Sequence, residues 1–394
     1  MSLKERVNKI LGRLSSKLKT TSKKAVKMKS RKKRGQGASK VNKTLKVKLV
    51  GRNKVKVREG HLNPLELIVK TVKDCNQQGI IGGATTEIAL KNEKSFLHAT
   101  SKKGVSLIEN DTQLFSGKLP SLDNSLLDII YVDVLDSYLL ASEAKLYRKD
   151  IDGRPLRLFM DLICGLRFGA CLRYSKIKQR VVVNKDGSNI AVINPKTRKI
   201  EIEVRATFRD QIRDFRLFGQ HENRVVAVTT DGYALLYSLD HANKRGVIDQ
   251  YQLNLSQERQ ESAGCLAVCP KNKYVLVEVQ ARVLPRIIIL KLTQDSIVKT
   301  ACIDQESKAY GGYGIALECF GYVGTHITWV ALTNNYWETP VTSYGYDTKT
   351  GEFCHRRLAV FHEEKNTHRL HRIGSKFYYI GAGGRLMSLR AKYK

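Results

Sequence analysis

Residues 377–394 read FYYIGAGGRLMSLRAKYK: an apolar run, a glycine-rich turn, and a second apolar run at which the chain stops. The same run–turn–run unit opens at Phe96 (FLHATSKKG), Tyr138 (YLLASEAK), Val181 (VVVNKDG), Val225 (VVAVTTDG), Tyr274 (YVLVEVQ) and Ile327 (ITWVALTNN). Successive openings lie 42 to 53 residues apart. A further apolar run precedes each unit, as in TTEIALKN from Thr85, LLDIIYVD from Leu126 and IRDFRLFG from Ile212. Most units are also followed by a fourth run, such as IEIEVRA from Ile200 or SIVKTACI from Ser296. Self-similarity at such a period marks a repeat architecture, in which one small sheet cannot bury its faces alone.

Seven four-run copies at this spacing predict an all-β chain, a seven-bladed β-propeller of four-stranded blades, over residues 62–394. The seven repeats run from about residue 85 to 394. The seventh lacks its fourth strand, and an open sheet edge leaves a row of unpaired N–H and C=O groups. Leu67-Ile68-Val69-Lys70-Thr71-Val72 lies ahead of the first repeat and resembles Ile297-Val298-Lys299-Thr300-Ala301-Cys302 of the fifth. A strand at about 66–73 is therefore predicted to pair with the last blade and close the ring. Two separate sandwiches would leave both the truncated copy and the spare strand unexplained. Over roughly 62–394 the chain resembles the WD-repeat-like propellers of eukaryotic cells, in architecture and not in signature. Tyr346-Asp347 and Leu239-Asp240 are its nearest approaches to Trp-Asp at the end of a third strand, and none of the seven repeats has the Gly-His pair that opens such repeats. The resemblance thus points to a degenerate propeller.

Charge divides the 394 residues differently. The chain carries 69 Lys and Arg against 37 Asp and Glu, a net +32. Residues 1–58 hold 22 of those bases and one acid, Glu5. Ser2 and Glu5 fit a capping box, and Leu3, Val7, Ile10, Leu11, Leu14 and Leu18 recur at helical spacing, predicting a basic amphipathic helix over about 3–19. Residues 20–44 are too poor in apolar side chains to offset ordering entropy and are predicted disordered. Residues 45–58 alternate basic and apolar around Gly51-Arg52-Asn53, the pattern of a hairpin.

The dense cationic run Lys23, Lys24, Lys27, Lys29, Arg31, Lys32, Lys33 and Arg34 is the candidate polyanion contact, acting by counterion release with little sequence preference. Arg31-Lys32-Lys33-Arg34 also has the makeup of a nuclear localisation patch. Nucleic acid, RNA or DNA, in a nuclear or ribonucleoprotein assembly is the favoured partner of this arm. The alternatives are a cytoskeletal, microtubule-associated protein, a mitochondrial protein whose residues 1–34 are a transit segment, and an anionic membrane surface touched by the helix.

Candidates for chemistry are few. Cys265 and Cys269 stand four apart with no second pair at metal spacing, so they read as buried thiols. Eight Cys are too sparse for a disulfide scaffold. Cys354-His355, His362, His368 and His371 fall on different predicted elements. Gly381-Ala382-Gly383-Gly384 reads as a turn, since no helix follows it. No enzyme activity, metal or cofactor is expected, and no run is long and apolar enough to span a membrane. Large aromatics on a rigid rim are favoured binding anchors. The candidate protein-binding rim is Tyr310 and Tyr313 before blade six, Tyr336 and Trp337 in its second loop, and Arg282 and Arg286 in the matching loop of blade five.

Overall fold

The computed structural model describes residues 44–45, 57–58, 65–74 and 86–393, apart from 101–103, 111, 118–127, 143–144, 163–171, 186, 188, 205–210, 241–245, 259, 270, 272, 282–285, 294, 305–312, 335–338, 362–369, 374–375 and 381–384. The helix predicted at 3–19 and the disorder predicted at 20–44 fall outside these residues, except for Thr44. The chain divides into two units, 1–41 and 42–394. Every described residue belongs to the second.

Among the described residues that unit forms seven sheets, six of four strands and one of six. Sheet one comprises Thr86–Leu90, Phe96–Thr100, Gly104–Glu109 and Thr112–Gly117. Sheet two comprises Asp128–Val132, Ser137–Ala141, Lys145–Asp150 and Arg157–Asp161. Leu172–Ser175, Arg180–Lys185, Asn189–Asn194 and Lys199–Val204 form sheet three. Ile212–Phe218, Arg224–Thr229, Tyr233–Ser238 and Val247–Gln252 form sheet four. Sheet five is Ser262–Val268, Tyr274–Gln280, Arg286–Leu292 and Ile297–Asp304. Sheet six is Tyr313–Val323, His326–Asn334, Thr339–Asp347 and Phe353–Phe361, and sheet seven opens with His371–Ile373, Lys376–Ile380 and Arg385–Tyr393. Within each of these sets neighbouring strands pair in chain order.

The fourth strand of sheet seven is Leu65–Asp74, in antiparallel register with Arg385–Tyr393 through Ile68↔Arg390 and Val69↔Leu389. The spare run read from the sequence thus sits where the truncated copy needed it. A second regularity supports the equivalence. Every sheet shows a register shift between its third and fourth strands, from Leu107/Ile108 in sheet one to Thr71/Lys73 in sheet seven. An extra residue on one strand of a pair raises the local twist, so the outer strand is twisted away from its neighbour at the same place in all seven sheets. Leu65–Asp74 carries that shift like any resident fourth strand.

The sheets stack through both faces. Along Arg180–Lys185, Val181 and Val183 pack against sheet two and Val182 against sheet four. Along Tyr274–Gln280, Val275, Val277 and Val279 meet sheet four while Leu276 meets sheet six. Successive strand residues point to opposite faces, so a strand buried on both sides reads as an unbroken apolar run. That is why the second strands were the clearest signal in the sequence. Ile88, Phe96 and Ile108 of sheet one pack on Tyr378 and Leu386 of sheet seven. The sixth and seventh sheets meet through Phe353–Phe361 and Leu65–Asp74, and the circuit of sheets is closed.

Sheet six is widened by the start of this unit. Thr44–Leu45 and Val57–Arg58 pair antiparallel, Thr44↔Arg58 and Leu45↔Val57, and Val57 lies parallel to Phe353. Leu45, Val57 and Arg58 are the two ends of the segment read as a hairpin, 45–58; residues 46–56, with its turn, lie outside the described residues.

Candidate functional site

The first strands of sheets one to six lie side by side, and charged side chains on those of sheets two to six form a buried chain of contacts. Asp128, in sheet two, is fully buried and accepts the Leu172 N–H of sheet three at 2.7 Å. The next residue, Arg173, donates to the Phe215 carbonyl at 3.0 Å and to Asp214 Oδ1 at 2.7 Å in sheet four. Its other Nη lies 3.9 Å from Asp128. Asp214 also takes Arg216 at 3.1 Å and, through Oδ2, the Leu266 N–H of sheet five at 3.1 Å. Arg216 reaches Glu318 of sheet six at 3.8 Å. A carboxylate on one sheet thus holds a main-chain donor on the next, and the arginines bridge carboxylates. Charges buried this way are tolerable only because each is paired and hydrogen-bonded.

Beside this belt the Cys265 thiol donates to Glu278 Oε2 at 3.3 Å. Gly264 shapes the spot: a Cβ there would stand 2.9 Å from the Glu278 carbonyl and 3.0 Å from Gln280. The strand shifts register here, between Ala263 and Leu266. Burial raises the Glu278 carboxyl to about 7, against a lesser lowering by the thiol. In sheet one His98 is buried with neither ring nitrogen bonded, and burial lowers it to about 4.

These two groups give opposite pH slopes. Between pH 4.5 and 7 the unfolded chain ionises its glutamate while folded Glu278 keeps its proton, so stability falls as pH rises, by up to about 3 kcal/mol. Between pH 6.5 and 4 the unfolded histidine gains a proton that buried His98 refuses, so stability falls as pH drops, by a similar amount. Glu278→Gln should therefore unfold with the wild type at pH 4.5 and be more stable at pH 8, by roughly 1–3 kcal/mol. Urea denaturation at the two pH values reads the difference directly; a gain equal at both would mean Glu278 is ionised inside the fold.

The arrangement supplies adhesion between sheets. Among the described residues no three His, Cys, Asp or Glu side chains converge as metal ligands. Cys265 and Cys269 both pack with the cluster between sheets five and six. Of the histidine and cysteine group near the chain end, Cys354 and His355 lie on the fourth strand of sheet six and His371 on the first strand of sheet seven.

The predicted rim is only partly placed. Tyr310, Tyr336, Trp337 and Arg282 lie outside the described residues, as do Lys23, Lys24, Lys27, Lys29, Arg31, Lys32, Lys33 and Arg34. Tyr313 opens the first strand of sheet six opposite Asn334, the last residue of the second. Arg286 corrects its expectation. It begins the third strand of sheet five instead of lying in the loop, and it is buried. Its guanidinium donates to Glu261 at 2.5 Å and to the Asn254 carbonyl at 3.0 Å. That side chain clasps the connection into sheet five and is not offered to a partner.

Sequence reading also missed the inner belt. Its signal was present in single charges set within apolar runs: Asp128 in LLDIIYVD, Arg173 in ACLRYSKI, Asp214 and Arg216 in IRDFRLFG. A lone charge there is either a solvent-facing strand residue or half of a buried pair, and the pairing partner sits a whole repeat away.

No family model matches the chain, and no curated protein matches it. Solved structures do: 1265 chains match, so the fold is common and says little about function. One is BBS1N, from a crystal structure of BBS1N in complex with ARL6DN, soaked with mercury. It is 11% identical, covers 79% of this chain and 92% of its own, and superposes with a TM-score of 0.51. At that identity the likeness concerns the fold alone, and with the closed circuit of four-stranded sheets it fits a β-propeller.

Proposed function

We propose that the chain is a non-enzymatic interaction scaffold: a seven-bladed propeller of degenerate WD-repeat type that holds protein partners on its loops, with a cationic arm, residues 1–58, that grips nucleic acid in a nuclear assembly. The observation that carries the reading is the segregation of charge. Residues 1–58 carry two thirds of the net +32, while Arg173, Arg216 and Arg286 of the sheets are paired with Asp214 and Glu261. BBS1N was crystallised with another protein, ARL6DN, which supports protein partners for a scaffold of this shape. No helix among the described residues is long and apolar enough to cross a membrane.

The test is binding of a labelled 20-nucleotide single-stranded RNA across a salt series. Replacing the eight basic residues from Lys23 to Arg34 with Gln should lower affinity at least tenfold near physiological salt and flatten the log–log salt slope by several units. Unchanged affinity and slope would remove nucleic acid from the reading and leave the propeller.

A further inference from the structure

One surface of the propeller is charged in a way that neither the belt nor the arm accounts for. Sheet three presents two turns at the same end, residues 176–179 and 195–198. Lys176, Lys196, Arg198 and Lys199 are exposed there and Lys178 is half-exposed. In their midst Ile177 is 61% exposed, the highest value among the large exposed hydrophobics described. A single exposed aliphatic means little; one set among five cations is different.

The turns are held rigidly. Arg180 makes a two-pronged contact with Glu201 and donates to the Lys178 and Gln179 carbonyls at 3.3 and 3.2 Å. Asn194 donates to the same glutamate at 2.8 Å and accepts the Lys196 N–H at 3.0 Å. Gln179 and Arg198 take positive φ, 52° and 58°, which fixes the two reversals. The Arg198 guanidinium lies 5.5 Å over the Phe159 ring. Glu201, the carboxylate on this stretch, is thus engaged by Arg180 and Asn194. Among the described residues no ion pair joins Lys176, Lys196 or Lys199 to a carboxylate.

We infer that these two turns of sheet three form a docking site for an acidic peptide segment of a partner protein, with an aliphatic residue of that segment resting on Ile177. The inference deepens the scaffold reading and rests on it. The neighbouring sheets decide the width of the occupant. Asp133 of sheet two accepts the Tyr174 hydroxyl, Glu222 of sheet four accepts Ser175 at 2.6 Å, and Asp240 pairs with Arg224 at 2.7 Å. Carboxylates therefore flank the patch on both sides. A broad polyanion laid across the patch meets those carboxylates as well as the lysines; a single extended peptide can follow the two turns of sheet three alone. Ile177 decides the chemistry, because a phosphate backbone offers an aliphatic side chain nothing to bury against.

The probe is a labelled octapeptide, Glu-Asp-Glu-Leu-Leu-Glu-Asp-Glu, and its twin with Ser for both Leu. It is titrated by fluorescence anisotropy into the full chain carrying the eight arm substitutions, so that the arm reading and this one fail separately. Lys176→Glu with Lys196→Glu should weaken both peptides at least tenfold. Ile177→Ser should weaken the Leu peptide roughly tenfold and leave the Ser twin within about twofold. All three positions are exposed, and an unchanged thermal midpoint confirms the fold. If Ile177→Ser affects neither peptide, or both alike, the proposal is overturned. It is equally overturned if a single-stranded octanucleotide binds more tightly than the Leu peptide and ignores Ile177→Ser.

Discussion

Deleting residues 65–74 is expected to cost the propeller roughly 5–10 kcal/mol and, with it, cooperative unfolding. The segment contributes nine register pairs to sheet seven. At about one ladder hydrogen bond per pair, each worth a net ~0.5–1.5 kcal/mol, the sum reaches that range before any side chain is counted. The loss is not confined to one strand. Without it Arg385–Tyr393 becomes an open edge, and its unpaired donors and acceptors template association with other chains. Leu65–Asp74 also carries the contact of sheet seven with Phe353–Phe361 of sheet six, so the circuit loses its closing contact. Thermal unfolding followed by circular dichroism should broaden and drop, and sedimentation should show aggregates. A synthetic peptide spanning residues 63–76, added in trans, should restore part of the midpoint. A sharp, barely shifted transition in the deleted chain would show that the sheets stand without closure.

The second large effect is expected at Asp214. Its carboxylate takes Arg173, Arg216 and the Leu266 N–H, and it is buried. Asp214→Ala leaves the two arginines facing each other and strands a main-chain donor of the neighbouring sheet. Removing one partner of a buried ionic group costs about 3–5 kcal/mol. Asp214→Asn keeps an acceptor for Leu266 but loses the charge, and should fall between. Glu318 on sheet six gives Arg216 a second partner at 3.8 Å; the double variant Asp214→Ala with Arg216→Met should recover part of the loss. Chemical denaturation of the four proteins checks the ordering. If Asp214→Ala costs under about 1 kcal/mol, the inner belt is solvated and the pairing carries little weight.

How far the residues disclosed this fold depends on the kind of signal. The second and third strands of each sheet were legible because both of their faces are buried, which writes an uninterrupted apolar run such as VVAVTTDG. The closing strand was legible because Leu67–Val72 copies the composition of a resident fourth strand. The fourth strand of sheet two, Arg157–Asp161, was not: most of its side chains meet water, and a short run with a charge at each end looks like a loop. Arg286 was misplaced for a related reason. It stands at the border between a Pro-containing connection and a strand, and nothing local reveals that Glu261, just ahead of the first strand of the sheet, is its partner. The docking turns of sheet three were invisible because lysines in turns are ordinary; only the fold shows that two such turns share one end and that Glu201 is engaged by Arg180.

The origin of the fourth strand of sheet seven has a consequence for biosynthesis. Leu65–Asp74 leaves the ribosome before any of the seven repeats, and Arg385–Tyr393 leaves it after all the others. At typical elongation rates of about 5–20 residues per second the first waits roughly 15 to 60 seconds for its mate. Throughout that interval the nascent chain carries a sticky, unmated ribbon at its front, and each finished module behind it must stay upright without the last. The delay sets a natural window for chaperone capture. A stall late in translation is therefore expected to damage this protein more than one of equal length near the start.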